Sequence, residues 1–220
     1  MLRRVVLALV LLPVVYLGLC TLALAVYRFI DPPTTGVQLQ RRVEAWLDGT
    51  PYEKRYRPVS LDRISDHLEH AVVAAEDGRF FSHHGIDWQA IREALEDNRR
   101  RGRSWRGGST ITQQLVKNLF MTTHRSLLRK AFEVPLAYLA ELLLSKERIL
   151  ACYLNVVEWG PGVYGAEAAA HHHLGVPAAH LTRHQAATLA ALLPDPRHRT
   201  PASVAWYRDV ILQRMRQMGY

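Results

Sequence analysis

Two adjacent carboxylates, Glu76 and Asp77, close an apolar run and stand just ahead of Phe80, Phe81, His83 and His84. A carboxyl group against aromatic walls loses hydration, which raises its pKa and suits it to general acid or base work. The same pair also reads as surface charge at a helix end. A second stretch, Arg106 to Asn118, brings two glycines into a helix start, where free N–H groups and the helix dipole attract an anion. Thr110, Gln114 and Lys117 follow at helical spacing, so either a polar face leads away from an anion-binding end, as a sugar phosphate would need, or this is an ordinary capped helix with a solvated face. This is not a nucleotide-binding P-loop, because the Gly-Lys-Ser/Thr order is missing. Arg129, Lys130 and Glu133 lie within one turn, which is either a further charged site or an ordinary ion pair along a helix. A fourth stretch runs from Lys146 through Tyr153-Leu154-Asn155 to a Gly- and Pro-rich loop, Trp159 to Gly165.

These residues need elements to hold them, and the pattern supplies helices. Leu61, Ile64, Leu68, Val72 and Ala75 recur at threes and fours behind Ser60, predicting one helix from Ser60 to Glu76. Asp87 caps a second, Ser109 or Thr110 a third, Ser126 a fourth ending near Leu144, and Ser145 a fifth. Thr182 with Gln185 forms a capping box for a sixth, and the last helix covers about 203–217. No alternating strand run stands out, so the fold class is mainly α.

Composition narrows the class further. The 220 residues are 49% apolar and carry a net charge of +8, a chain able to fold around a core. Cys20 and Cys152 are the two cysteines, so neither a disulfide framework nor a cysteine zinc site is expected. His171, His172 and His173 diverge on a helix, and His180 and His184 lack a metalloprotease motif, so no protein-held metal is expected. The arginines between Arg99 and Arg106 would suit nucleic acid or anionic lipid, or simply form a solvated loop.

Mean hydropathy is −0.09, but residues 5–26 carry no charge at all. As a helix they cover roughly 33 Å, enough for a bilayer core. The run is longer than a signal peptide's apolar stretch, and Arg3 and Arg4 before it favour a cytoplasmic N-terminus. The expected layout is a tail at 1–4, a transmembrane helix at 5–27, a membrane-proximal linker at 28–57 and one domain at 58–220. Removing Arg3, Arg4 and Arg28 from the 28 basic residues leaves 25 against 20 acidic ones in the exported part. With an exported domain, that excess points to anionic lipid and phosphate, not nucleic acid.

Glu-Asp-x-x-Phe-x-x-His-x-Gly at 76–85, Gly-Gly-Ser-Thr-Ile-Thr-Gln-Gln at 107–114, Arg-Lys-x-x-Glu at 129–133 and Tyr-Leu-Asn at 153–155 occur in this order. Together they resemble the family 51 glycosyltransferases, the transglycosylase module of penicillin-binding proteins and of the monofunctional biosynthetic enzymes. The resemblance covers about 58–217 plus the anchor. It implies a lysozyme-like helical domain with one N-terminal transmembrane helix, and an enzyme that polymerises lipid II into β-1,4 glycan strands with inversion, releasing undecaprenyl pyrophosphate. Glu76 would be the catalytic base and Glu133 the second catalytic carboxylate. Asp77, Phe80, His83, Thr110, Gln114, Lys117, Asn118, Arg129 and Lys130 would bind substrate, with Lys117, Arg129 and Lys130 handling pyrophosphate.

No organic cofactor is implied; Mg²⁺ or Mn²⁺ accompanying the pyrophosphate is compatible with the resemblance. The partners it implies are lipid II, the growing glycan chain, membrane lipids and other cell-wall synthases. The implied location is the outer side of the bacterial cytoplasmic membrane, with a single-pass anchor. None of the eight serines has Lys three positions on and no Lys-Thr-Gly occurs, so no transpeptidase activity is expected. Three positions depart from the family pattern: Ala151 in place of Glu, His173-Leu174 in place of an aromatic pair, and Pro135, where a kink is expected. The competing readings are a non-catalytic membrane scaffold of cell-wall assembly and a peptidoglycan-cleaving enzyme.

Overall fold

Side-chain caps start most of the helices. In the computed structural model, which describes residues 2–101, 108–124 and 126–220 (without side chains at 2–10 and 101), α1 covers Leu2–Tyr27 and α2 Gly36–Leu47. Next come α3 (Asp66–Glu76), α4 (Trp88–Arg101), α5 (Ile111–Phe120), α6 (Leu127–Leu143) and α7 (Lys146–Val156). The last three are α8 (Ala166–Leu174), α9 (Arg183–Ala190) and α10 (Ala205–Gln217). Thr35, Ser65, Ser126 and Ser145 each accept an amide of the first turn, and Thr110 and Thr182 form full capping boxes with Gln113 and Gln185. Asp87 accepts the Ala90 amide at 2.7 Å ahead of α4.

The helix predicted from Ser60 is shorter than expected. Leu61–Arg63 form a single 3-10 turn, Ile64 is extended, and Ser65 is the true cap of α3. Periodicity carried the prediction across this break because Ile64 is buried as a loop residue and so mimics a helical apolar position. The 28–57 segment, expected as a linker, carries α2, packed on α5, and strand β1 (Arg55–Tyr56). Strands also appear where no alternation announced them. β2 (Glu158–Gly160) and β3 (Val163–Tyr164) form a hairpin, and β1 adds parallel to β3, giving the order β1-β3-β2. Runs of two or three residues are too short to show a period of two. Gly162 (φ +73°) makes the hairpin turn, and its carbonyl accepts the Arg55 amide at 2.8 Å.

The core is one continuous cluster in which α3, α5, α7, α9 and α10 contribute fully buried residues such as Leu68, Leu115, Leu154, Leu189 and Ile211. α6 runs through Pro135 as a single helix, with Leu136, Ala137 and Ala140 buried beyond the proline. α1 lies against α6: Cys20 and Leu24 are buried, the Tyr16 hydroxyl donates to the Phe120 carbonyl at 2.7 Å, and Tyr16 meets Phe132 edge-on. Arg148 clamps the exit of α1, donating to the Tyr27 carbonyl at 2.6 Å and pairing with Asp31 at 2.9 Å. Among the described residues no helix is long and apolar enough to cross a membrane. Positions 5–10 of the expected span at 5–27 lie outside the residues whose side chains are described, as do Arg3 and Arg4. Residues 102–107 of the arginine-rich stretch also lie outside the described part.

Candidate active site

The last residue of α3, Glu76, is half-buried and faces α5. Gln114 on α5 donates its amide N–H to Glu76 Oε2 at 2.7 Å, and the Tyr153 hydroxyl on α7 donates to Gln114 Oε1 at 2.9 Å. Burial pushes the Glu76 carboxyl above the ordinary carboxylate range, and the charge of Asp77 adds to this. The Gln114 hydrogen bond and the positive charges of Lys117 and Arg199 oppose it. A carboxyl raised in this way is a candidate proton acceptor.

Asp77, its neighbour in sequence, is placed for a different task. It is buried and accepts the Ile111 amide at 2.9 Å and the His83 ring N–H at 2.9 Å. The glycine-led helix start was expected to offer free N–H groups to an anion. Instead the Ile111 amide is taken by Asp77 and the Gln113 amide by Thr110 Oγ1, so the protein's own groups already hold two of the first-turn amides. Thr110 is buried as well, and its hydroxyl donates to the Gly85 carbonyl at 2.6 Å. Phe80 is wholly buried, with the Lys146 ammonium 4.5 Å from its ring centre, and Asn118 is buried with its amide on the Gln114 carbonyl. Asp77, Phe80, His83, Thr110 and Asn118 are thus held by protein partners, while Gln114 acts on Glu76 by a hydrogen bond and Lys117 by its charge.

On α6, Glu133 is buried with both oxygens engaged, one by Arg129 and the other by Lys130 at 2.9 Å. Glu133 thus bridges Arg129 and Lys130 and holds the two cations side by side. Among the described residues Arg129 Nε is buried without a hydrogen-bond partner, and Lys130 also reaches Ser109 Oγ at 3.3 Å. Lys117 links the two halves. Burial and the charge of Arg129 hold its ammonium below the ordinary lysine range, while Glu133 and Glu76 pull it back up. Lys117, Arg129, Lys130 and Arg199 therefore stand with Glu76, Asp77 and Glu133, four cations with three carboxylates, an excess of positive charge suited to a polyanion.

A cavity of about 480 Å³ opens beside this group, lined by Leu12, Pro13 and Tyr16 of α1 and by Phe120, Leu128 and Phe132, with Arg129 on its wall. Among the described residues no three His, Cys, Asp or Glu side chains converge. Each Glu133 oxygen already accepts from a cation, Arg129 or Lys130.

A family model described as Transglycosylase matches residues 42–216. The chain belongs to the transglycosylase family. A relative from Pseudomonas fluorescens (strain SBW25), named biosynthetic peptidoglycan transglycosylase, is 48% identical over 90% of this chain and 84% of its own length. A relative of the same name from Herminiimonas arsenicoxydans is 43% identical over 97% and 96%. A third, from Janthinobacterium sp. (strain Marseille), is 50% identical over 73% and 71%.

Within the transglycosylase fold, Tyr153 and Asn155 of the Tyr-Leu-Asn motif take up structural tasks that their spacing alone does not announce. Asn155 is fully buried, accepts the Val59 amide at 3.0 Å and donates to the Val59 carbonyl at 2.8 Å, holding the chain ahead of α3 against α7. Arg199 was missed altogether. It lies 5.5 Å over the Tyr207 ring and donates to the Ala191 carbonyl, in a loop where no local pattern announces it. Two departures from the family pattern have structural partners here. The Ala151 carbonyl accepts from Asn155, and His173 donates to the Trp159 carbonyl at 2.9 Å.

Proposed function

We infer that this transglycosylase polymerises lipid II into linear β-1,4 glycan strands by inverting glycosyl transfer, releases undecaprenyl pyrophosphate, and carries out no transpeptidation. One observation carries the reading: a half-buried carboxylate with a raised pKa, Glu76, shares a site with Lys117, Arg129 and Lys130. In the reaction Glu76 takes the proton from the 4-hydroxyl of the acceptor sugar. The freed oxygen attacks C1 of the donor, the bond from C1 to the pyrophosphate oxygen breaks, and its electron pair leaves with the pyrophosphate. That leaving group is already anionic, so it calls for cations more than for a proton donor. Lys117, Arg129 and Lys130 supply them, and Glu133 holds the last two in place. Asp77, Phe80, His83, Thr110 and Asn118 support the binding wall, and Gln114 fixes Glu76.

The cavity beside Arg129 suits the apolar prenyl chain attached to that pyrophosphate. We assign any Mg²⁺ or Mn²⁺ to the substrate's pyrophosphate, because both oxygens of Glu133 are committed to cations. We read the mainly helical domain as lysozyme-like, and α1 as a single-pass anchor in the bacterial inner membrane with the catalytic domain on its outer side. Supporting the anchor, Leu12, Val14, Val15, Leu19 and Leu22 are exposed on α1 despite being apolar. Membrane lipids and other cell-wall synthases are the further partners of this reading.

The experiment is incubation of the purified full-length chain in detergent with lipid II and separation of products by length. The reading expects long glycan strands and free undecaprenyl pyrophosphate. Partner binding without polymer would support the scaffold reading, and release of fragments from sacculi would support cleavage.

A further inference from the structure

We propose that Tyr153 is a positioning residue for Glu76, acting only through Gln114: its hydroxyl fixes which end of the Gln114 amide meets the carboxylate. The proposal rests on the reading of Glu76 as the base.

A primary amide has one accepting and one donating end, and the two can exchange by a half-turn. With its N–H₂ toward Glu76, Gln114 stabilises the ionised carboxylate. Turned over, its oxygen would face Glu76 and favour the protonated acid, which alone could donate to it. The protonation state of Glu76 and the orientation of Gln114 are therefore coupled, and a group that fixes one biases the other.

Tyr153 is placed to do this. It is wholly buried on α7, its hydroxyl lies 2.9 Å from Gln114 Oε1, and Gln114 Nε2 lies 2.7 Å from Glu76 Oε2. Burial and the nearby charges of Glu76 and Asp77 hold the phenol protonated, so it remains a donor. As a donor it favours the amide oxygen and so turns the N–H₂ toward the base. The other groups around Glu76 leave this task open. Lys117 on α5 and Arg199 in the loop before α10 act on Glu76 by charge, and Asp77 is engaged by Ile111 and His83. On α10, Arg214 donates to the carbonyls of Ala74 and Ala75, and the Tyr207 hydroxyl lies 3.5 Å from that of Ala75. Among these groups, only Tyr153 has a contact that determines the orientation of Gln114.

The test titrates the Glu76 carboxyl by carbon NMR in full-length chain carrying labelled glutamate, with the signal assigned through Glu76→Gln, alongside the pH dependence of kcat. Tyr153→Phe should raise both the carboxyl titration and the acid limb of kcat by roughly half to one unit, with KM unchanged. Gln114→Leu should shift the titration at least as far, and the double variant should match Gln114→Leu alone, because the hydrogen bond of the Tyr153 hydroxyl goes to Gln114. Fluorinated tyrosine at position 153, a stronger donor of nearly the same volume, should lower the titration and keeps the test open if Tyr153→Phe folds poorly. An unchanged Glu76 titration in Tyr153→Phe, or additive shifts in the double variant, would overturn the proposal. Undiminished activity of Glu76→Gln would instead sink the assignment of the base, while the carboxyl titration would still judge Tyr153.

Discussion

Asp77 Oδ2 accepts the backbone N–H of Ile111 at 2.9 Å, tying the end of α3 to the first turn of α5. One turn further along α5, Gln114 meets Glu76, and Lys117 follows on the same side. The two adjacent carboxylates therefore divide the work. Asp77, buried and fully engaged, sets the register between the helices, while Glu76 beside it stays partly accessible. His83 completes the anchor from the loop after α3.

On the proposed roles, in which Glu133 organises the cations and Glu76 takes the proton, replacing Glu133 should differ in kind from replacing Glu76. Glu133→Gln should lower kcat/KM by about 10²-fold, because Arg129 and Lys130 lose the geometry that positions the pyrophosphate, yet leave the acid limb of the pH profile in place. Glu133→Ala should also cost roughly 3 kcal/mol in urea unfolding, since the Arg129 guanidinium loses its buried partner. A disappearing acid limb in Glu133→Gln would reverse the roles given to the two glutamates.

Asn155→Ala should leave the amide and carbonyl of Val59 without partners in a buried place. The expected loss is about 2–4 kcal/mol of stability, read by chemical denaturation. A loss below about 1 kcal/mol would show that Val59 finds water or another partner and that the clip is dispensable.

Glu69 gives a pH signature away from the site. Burial, helped by the charge of Asp66, raises its pKa from 4.5 to about 7. The folded value lies above the unfolded one, so the stability from its neutral form is complete below the ordinary carboxylate range and is lost as pH rises through about 7. Glu69→Gln should accordingly match the parent Tm near pH 4.5 and exceed it at about pH 8. A Tm difference that does not change with pH would contradict the shift.

Much of this arrangement was legible in the sequence because its devices are local. Ser126, Ser145, Thr110 with Gln113 and Thr182 with Gln185 announce their helices through caps that act within four residues. Long-range pairings had no such signature. Asp77 reaching Ile111, Tyr153 reaching Gln114, Asn155 holding Val59 and Arg199 over Tyr207 each join parts of the chain that only the fold brings together. The α3 start moved from Ser60 to Ser65 for a related reason. The buried Ile64 keeps the apolar spacing intact, while the competing cap at Ser65 decides where the helix begins. α2 was hidden differently: its buried face holds Val37 and Gln38, while Leu39, Val43, Trp46 and Leu47 are exposed, so its apolar residues do not mark the side that packs.

The central claim, that Glu76 is the base of glycan polymerisation, is tested most directly by initial rates of lipid II polymerisation for Glu76→Gln across pH. The parent rate should rise with pH through a limb above the ordinary carboxylate range, since the base must be ionised and burial raises its pKa. The variant should be slower by at least about 10²-fold and lack that limb, with its helical content intact. A Glu76→Gln chain that polymerises at near-parent rate and keeps the parent's acid limb would contradict the account.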